Sequence, residues 1–307
     1  MPAMRDRMDT LPQVFDRSLV RRRLERAFAL GPEPFLLERV ADDMFDRLGT
    51  VKRRFDLALD IATPTDAVSR ALATHPAVGR MLAARSLLQG GGVSIIADEE
   101  MLPVGGQTLD LVVSALALHN VNDLPGVLAQ IRRVLRPDGL LLAAMIGGSS
   151  LTELRQSFAV AEAEVTGGLS PRVSPFVDVR DLGSLLQRAG FALPVTDVDR
   201  VMVRYASPFA LFAELRRMGA TNALAERRKV PLKRAVLMRA AEIYAERFSD
   251  PDGRVRATFD IVWLSGWAPH ESQQKPLRPG SARMRLADAL GAKEVPLSAI
   301  DEKDAPR

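Results

Sequence analysis

The pair of residues best placed for proton transfer is His119 and Asn120, which follow the apolar run Leu109–Ser114. Apolar runs of this kind form strands that are buried on both faces of a parallel sheet. Doubly wound proteins place their chemistry at the carboxyl ends of such strands. We therefore predict that His119 is a general base and that Asn120 is a catalytic residue beside it. The sequence leaves open a second interpretation, in which His119 is a loop histidine hydrogen-bonded to its neighbours.

A ligand-binding turn is predicted where the strand Leu57–Ile61 meets the next helix. Strand–turn–helix units hold phosphates, carboxylates and riboses with glycine-rich backbone and the helix N-terminus. This turn, Ala62-Thr63-Pro64-Thr65, has no glycine, so a Cβ stands wherever a ligand would approach the backbone. A second interpretation needs no ligand. Thr63 would be the N-cap, Pro64 the first helical residue and Asp66 the third member of a capping box.

The composition excludes several kinds of chemistry. The chain has no cysteine, so it has no disulfide, no thiol nucleophile and no cysteine-bound metal. Its three histidines, His75, His119 and His270, are too scattered to predict a metal site, including the two-histidine-plus-carboxylate site of non-haem iron. Ser114 lacks the histidine–aspartate relay that a serine nucleophile needs.

Charge and hydropathy limit the partners. The net charge of +4 comes without the long basic blocks and interleaved aromatics of nucleic-acid-binding proteins, so we predict no nucleic-acid partner. No apolar run is long enough to span a membrane. Residues 14–28 predict an amphipathic helix with Arg17 and Arg21–Arg23 mostly on one face. That face is either solvated or suited to an anionic partner or to membrane headgroups at the surface.

The order of the predicted elements indicates an α/β protein with a mostly parallel, doubly wound sheet. The predicted strands span 57–61, 79–84, 93–97, 109–114, 140–146, 195–205 and 256–267, the last of them antiparallel. Turns are predicted at 90–92 and 137–139. The predicted domains are an N-terminal helical extension (1–50), a core domain (51–270) with a helical insertion at about 207–250, and a mobile C-terminal tail (271–307).

From residue 109 onward the sequence resembles a known family. DLVVSALALHNVNDLPGVLAQIRRVLRPDGLLLAAM (110–145) is similar to the fourth strand, helix and fifth strand of class I S-adenosylmethionine (SAM) methyltransferases. More specific segments are GGSSLTELRQSF (147–158), GGLSPRVSPF (167–176) and ATFDIVWLSGWAPHESQ (257–273). Together with FDRSL (15–19), they resemble the family of the mitochondrial complex I assembly factor 5, over roughly residues 14–285.

The resemblance implies a Rossmann-like methyltransferase fold with SAM over the first turn. The candidate cofactor-binding residues are Asp60, Ala62, Thr63, Thr65, Ala84, Asp98, Glu99 and Ser114. Two departures put SAM binding in doubt. The family's glycine positions fall in the turn 62–65, and the acid that would bind the ribose hydroxyls at the end of the second strand is replaced within 83–85.

Two functions remain open at this point. The resemblance implies modification of a protein arginine, because the family's characterised branch hydroxylates an arginine in an iron–sulfur subunit of respiratory complex I. The alternative is a non-catalytic assembly factor that binds such a client through residues 147–176 and 257–282, with a degenerate SAM pocket. The family's first motif lies so close to the N-terminus that we expect no transit peptide, and hence a bacterial cytoplasmic protein.

Overall fold

The computed structural model describes residues 13–88 and 94–274, which form a seven-stranded sheet covered by helices on both faces. The strands are β1 (Phe55–Ile61), β2 (Val78–Arg85), β3 (Ile95–Ile96), β4 (Leu109–Ala115), β5 (Leu135–Gly147), β6 (Ala192–Tyr205) and β7 (Val255–Trp267). The helices are α1 (Arg17–Ala29), α2 (Phe35–Gly49), α3 (Ala67–Ala73), α4 (Leu124–Val134), α5 (Thr152–Thr166), α6 (Val179–Arg188), α7 (Pro208–Arg217) and α8 (Arg234–Phe248).

The strands lie in the order β3-β2-β1-β4-β5-β7-β6, and β7 alone among these strands runs antiparallel to its neighbours on both sides. Strands β1 to β5 pair in parallel, and β7 lies antiparallel between β5 and β6. The chain therefore changes sides of the sheet between β1 and β4, and ligands bind at such a switch point in open α/β sheets. The predicted fold class, a mostly parallel doubly wound sheet with an antiparallel last strand, is confirmed.

The apolar strands form this sheet because helices cover both of its faces. One core layer joins the sheet to α2, α3 and the first turn of α5. The other layer joins it to α4 and α6. The central strands β4 and β5 contribute to both layers, which explains why their sequences are continuous apolar runs rather than alternating ones.

The capping box predicted for the turn after β1, with Thr63 as the N-cap, is wrong. The helix begins at Ala67 with Asp66 in the N-cap position, and no side chain caps it. The hydroxyl of Thr63 instead donates to Asp60 and accepts the amide of Ala115, 3.1 Å away. A buried carboxylate competes better for this hydroxyl than a helix end that can be solvated.

Residues 137–139 form no separate turn, which corrects a second prediction. They lie inside β5, at a shift in the register between β4 and β5. Leu109 is paired with Leu135, but Leu111, only two residues later, is paired with Leu140. Asp138 has a positive φ of 66° at this irregularity. The predicted turn at 90–92 and the tail from residue 275 lie outside the described residues.

The residues just before helix α1 bind it to loops at the carboxyl edge of the sheet. The amide of Phe15 donates to Asn122 Oδ1 over 2.8 Å, and the amide of Asp16 donates to the carbonyl of Ala223 over 2.9 Å. These bonds join the loop after β4 to the loop after α7 through residues 15 and 16. None of the helices in the described ranges is both long and apolar enough to cross a membrane.

Candidate active site

The first turn is organised around Asp60, which is fully buried at the end of β1. Its Oδ1 accepts the hydroxyl of Thr63. Its Oδ2 accepts the hydroxyl of Ser69 over 3.0 Å and Nη2 of Arg85 over 3.1 Å. Burial raises the pKa of Asp60, while the positive charge of Arg85 and these hydrogen bonds oppose the rise.

Arg85 is the last residue of β2 and lies within 83–85, the segment in which the resemblance implies a ribose-binding acid. Its side chain is 4% exposed, and it points into the turn rather than into solvent. Nε donates to the carbonyl of Thr63 over 2.8 Å, and Nη2 donates to the carbonyl of Thr65 and to Ser69 Oγ, each over 2.8 Å. The guanidinium therefore fills the inside of the turn and fixes its carbonyl groups.

The backbone of Ala62 keeps the conformation of a glycine. Its φ of 60° lies in the left-handed region, which costs a residue with a Cβ roughly 1–2 kcal/mol. Its amide donates to the carbonyl of Ala84 over 2.8 Å, which ties the turn to the end of β2. The turn thus retains a glycine-like path without the glycine.

The acidic residues after β3 are bound by α1. Asp98 Oδ1 accepts Nη2 of Arg17 over 3.2 Å, and Oδ2 accepts Arg21. Glu99 Oε1 also accepts Arg17, whereas Oε2 is buried and has no hydrogen-bond partner. Arg17 donates in addition to the carbonyl of Asn120 over 2.9 Å. Burial by itself would lower the pKa of Arg17, but Glu99 and the neighbouring acids raise it overall.

His119 and Asn120 lie in a 3₁₀ turn just after β4. The side-chain amide nitrogen of Asn120, Nδ2, is 3.2 Å from His119 Nε2. The other ring nitrogen, His119 Nδ1, is buried without a partner. The imidazole packs edge-on against Phe176, with ring centroids 6.4 Å apart. Burial lowers the pKa of His119 to about 4. The imidazole is therefore uncharged near neutral pH, and one of its two ring nitrogens can accept a hydrogen bond.

A cavity of about 170 Å³ lies between the turn, the loop after β4, and α1. Its polar end is the part where Arg17, Glu99, His119 and Asn120 meet. The lining also includes the apolar side chains of Leu24, Phe28, Leu36, Leu151, Leu154, Leu215, Met218 and Phe259, and the charged side chains of Arg21, Glu33, Arg172 and Arg217. The cavity thus suits a ligand that has both charged and aliphatic parts.

The structure divides the predicted site residues into three groups. Those that line the cavity are Ala62, Thr65, Glu99, His119 and Asn120. Four others are engaged in the fold: Asp60 and Thr63 inside the turn, Ala84 through its carbonyl, and Ser114, whose hydroxyl donates to the carbonyl of Ile61 over 2.8 Å. Asp98 faces α1.

Sequence reasoning did not anticipate the roles of Arg85 and Arg17. A signal for Arg85 was present, since a basic residue at the end of the second strand lies next to the end of the first strand and its buried acid. No comparable signal exists for Arg17. Its contact with Glu99 spans 82 residues of sequence, and the arginines of α1 look alike in the sequence.

The residues present fit SAM only in part. The left-handed backbone at Ala62 matches the path of a glycine-containing cofactor loop, but the amide of Ala62 already donates to the carbonyl of Ala84. Residues 83–85, where the resemblance implies the ribose-binding acid, carry no carboxylate, and Asp60 beside them is fully buried. Both oxygens of Asp98 are bound by α1. No group of residues in the described ranges could hold a metal ion.

Replacing Arg85 with methionine tests the buried ion pair. Asp60 would remain in the core without its cation, so we expect a loss of about 3–5 kcal/mol in the free energy of unfolding near neutral pH. Without Arg85, burial raises the folded-state pKa of Asp60 above its unfolded value, so the deficit should shrink as the pH falls and the carboxyl becomes neutral. Urea denaturation at neutral and mildly acidic pH measures both effects.

The control is the double variant Arg85→Met with Asp60→Asn, which removes both charges. It should lose less stability than Arg85→Met alone and show less of the pH dependence. Equal losses in the two variants would mean that the pair does not stabilise the turn.

The lowered pKa of His119 predicts that the protein loses stability in acid. Its folded-state pKa of about 4 lies below the ordinary value of 6.5, so the unfolded chain binds the proton more tightly. The stability present near neutral pH should fall as the pH drops from 6.5 through about 4, by on the order of 3 kcal/mol. In His119→Gln this part of the acid dependence should disappear, whereas the exposed His270→Gln should retain it. An NMR titration of the His119 ring with a midpoint near 6.5 would contradict this assignment.

Comparison with solved structures and family profiles supports the fold. A family profile described as a methyltransferase domain matches residues 58–143. The crystal structure of the YcgJ protein from Bacillus subtilis matches 75% of this chain and 99% of its own, with a TM-score of 0.51 and 12% sequence identity. At this identity the match concerns the fold alone.

Relatives of higher identity cover nearly the whole chain. The mitochondrial arginine-hydroxylase NDUFAF5 of Danio rerio is 41% identical over 286 residues, which are 90% of this chain and 89% of that protein. The human NDUFAF5 is also 41% identical, over 90% of this chain and 83% of its own. A malonyl-[acyl-carrier protein] O-methyltransferase of Laribacter hongkongensis is 34% identical, over 86% of this chain and 94% of its own.

These matches confirm the resemblance found in the sequence, and they extend over most of the chain. Strands β2, β3 and β4, most of β1 and the first part of β5 lie within the residues that the methyltransferase profile matches. The chain therefore belongs to the NDUFAF5 family of proteins built on the class I methyltransferase fold.

Proposed function

We propose that this protein is an assembly factor that takes an arginine side chain of a client protein into the cavity beside His119 and modifies it. The observation that carries the proposal is the polar end of the cavity. There the buried carboxylate of Glu99 has one oxygen without a partner, and it shares the cavity with an uncharged imidazole. This combination occurs in a chain 41% identical to proteins named as arginine hydroxylases.

The two side chains suit different parts of the task. A guanidinium stays charged in proteins and is bound most strongly by carboxylates, through paired N–H···O bonds. Glu99 supplies such an acceptor in a partly desolvated place. His119 is neutral because of its burial, so it can hydrogen-bond to the bound side chain without repelling its charge. The apolar side chains of the cavity lining offer a surface for the aliphatic part of the client segment.

The client is proposed from the family. We propose a subunit of a respiratory complex I-type enzyme, with an iron–sulfur subunit as the first to be tested, and action in the bacterial cytoplasm. The mild positive charge of the chain and the arginines of α1 would also allow contact with an anionic surface near a membrane.

A second candidate function is binding of the client without a reaction. It is favoured by Arg85, because this residue removes the ribose acceptor and occupies the inside of the turn. In this form the protein would hold the arginine-bearing segment during assembly, and SAM would bind weakly or not at all.

Co-expression with the iron–sulfur subunit distinguishes the two candidates. Mass spectrometry of the client should show an arginine heavier by one oxygen atom, as for a hydroxylation by a two-electron oxidant that the cell supplies, or by one methylene group, as for a methylation in which SAM is the donor and S-adenosylhomocysteine and a proton are released. His119→Gln should reduce the modified fraction, and Arg22→Ala, an exposed change on α1, should not. An unmodified client in a stable complex would support the second candidate, and the absence of both complex and modification would overturn both.

Titration of purified, cofactor-free protein with SAM tests the effect of Arg85. The lost charge-assisted hydrogen bonds to the ribose are worth about 1.5–3 kcal/mol. Arg85→Glu should therefore bind SAM about ten- to a hundredfold more tightly than the native chain. Arg80→Glu, with the same charge change at an exposed position of β2, is the control. Micromolar binding of SAM by the native chain would contradict the proposed weakness of the site.

A change in folding could hide this gain, because the carboxylate introduced by Arg85→Glu would lie near Asp60. Arg85→Gln carries an uncharged acceptor and avoids that repulsion, and thermal melting shows which of the variants is folded. If both folded variants bind SAM no better than the native chain, the loss of the ribose acid is not what limits binding.

A further inference from the structure

A guanidinium from the chain itself already lies at the polar end of the cavity. Arg17, the first residue of α1, is only 15% exposed in its side chain. Its Nη1 donates to the carbonyl of Asn120, and its Nη2 contacts both Asp98 and Glu99. Three acceptors from two loops of the sheet edge therefore surround one guanidinium.

Two of these acceptors are held in place independently of Arg17. Asp98 Oδ1 accepts the amide of Glu100 over 2.9 Å, and Asp98 Oδ2 is bound by Arg21. The carbonyl of Asn120 belongs to the 3₁₀ turn after β4. Glu99 differs, because it is 7% exposed, its Oε1 is bound by Arg17, and its Oε2 is buried without a partner. A buried carboxylate that loses its cation is costly, so the departure of Arg17 favours the entry of another guanidinium.

Among the other arginines of α1, Arg21 shares this site through Asp98 Oδ2, and the remaining three do not reach it. Arg23 reaches only the carbonyl of Asn222, at 3.5 Å, and Arg26 donates to the hydroxyl of Thr221 over 2.9 Å. Neither contacts a carboxylate within the described part of the chain, and Arg22 is exposed. Within the described part of the chain, Arg17 is therefore the arginine of α1 that contacts Glu99 and the carbonyl of Asn120.

We infer that Asp98, Glu99 and the carbonyl of Asn120 form the guanidinium-binding site of this protein, and that Arg17 occupies it until an arginine of the client takes its place. The inference rests on the proposed function, because it assigns the recognition of the same client side chain. Exchange of one guanidinium for another conserves the ion pairs of the site. The free energy needed to displace Arg17 is therefore limited to the contacts that α1 loses.

Occupation by Arg17 has a quantitative consequence. A client can bind only the fraction of molecules in which Arg17 has left, so its apparent affinity is reduced by that fraction. Removal of Arg17 abolishes the competition while leaving Asp98, Glu99 and Asn120 in place. The inference therefore predicts a gain in affinity from the loss of a side chain.

Calorimetric titration with N-acetyl-L-arginine amide tests this prediction without knowledge of the client. Arg17→Ala should bind the probe about tenfold or more tightly than the native chain. Arg22→Ala should behave as the native chain does. Adding Glu99→Gln to Arg17→Ala should cancel most of the gain, and N-acetyl-L-lysine amide should gain much less, because a compact ammonium cannot span several acceptors.

Two outcomes would overturn the inference. One is an Arg17→Ala variant that gains no affinity for the arginine amide, or gains as much for the lysine amide. The other is a gain for adenosine alone, which would assign Asp98 and Glu99 to a nucleoside instead. Because the readout is binding, an absence of client modification would count against the proposed function and leave this result unaffected.

Arg17→Ala could also weaken the fold, since it leaves two acids with less compensation. A measurement on the native chain covers this case. Saturating arginine amide should accelerate hydrogen exchange of the α1 amides as Arg17 is displaced, while exchange in α4 stays constant. Unchanged exchange in α1 under saturation would overturn the inference.

Discussion

The buried ion pair between Asp60 and Arg85 is the interaction on which the site depends. Two oppositely charged groups in the core are costly to desolvate, and they are tolerated only when their remaining hydrogen bonds are satisfied. Here the hydroxyls of Thr63 and Ser69 and the carbonyls of Thr63 and Thr65 satisfy them. The same bonds determine the path of the turn, so a charge pair between two strands replaces the glycines that shape this turn in the related fold.

A second set of charges lies at the polar end of the cavity, where α1 meets the loops after β3 and β4. Arg17 and Arg21 of α1 meet Asp98 and Glu99, so two positive and two negative charges lie together and nearly neutralise each other. The pairs differ in kind from Asp60–Arg85, because Asp98 and Arg21 are partly exposed and screened by solvent. The Asp60–Arg85 pair thus lies in the core, and the pairs of Arg17 and Arg21 lie at the docked end of α1.

The strands and the fold class could be predicted because they depend on local patterns. The runs 109–114 and 140–146 are apolar without alternation, and only a sheet covered on both faces accommodates them. The contacts of the site could not be predicted, because they depend on register and docking. Arg85 meets Asp60 only because Ile61 is paired with Ala84. The assignment of Thr63 as a helix cap failed because its hydroxyl is bound by the buried carboxylate of Asp60 and by the amide of Ala115, which lies 52 residues away.

The hydrogen bonds of residues 15 and 16 have a consequence for the order in which the chain matures on the ribosome. Phe15 is bound to Asn122, and Asp16 to Ala223, more than two hundred residues later. Helix α1 is therefore the first helix of the described chain to be synthesised, yet it cannot dock until the segment after α7 has emerged. Until then the acidic residues above the sheet remain open to water, and the enclosed cavity is one of the last features of the nascent protein to form.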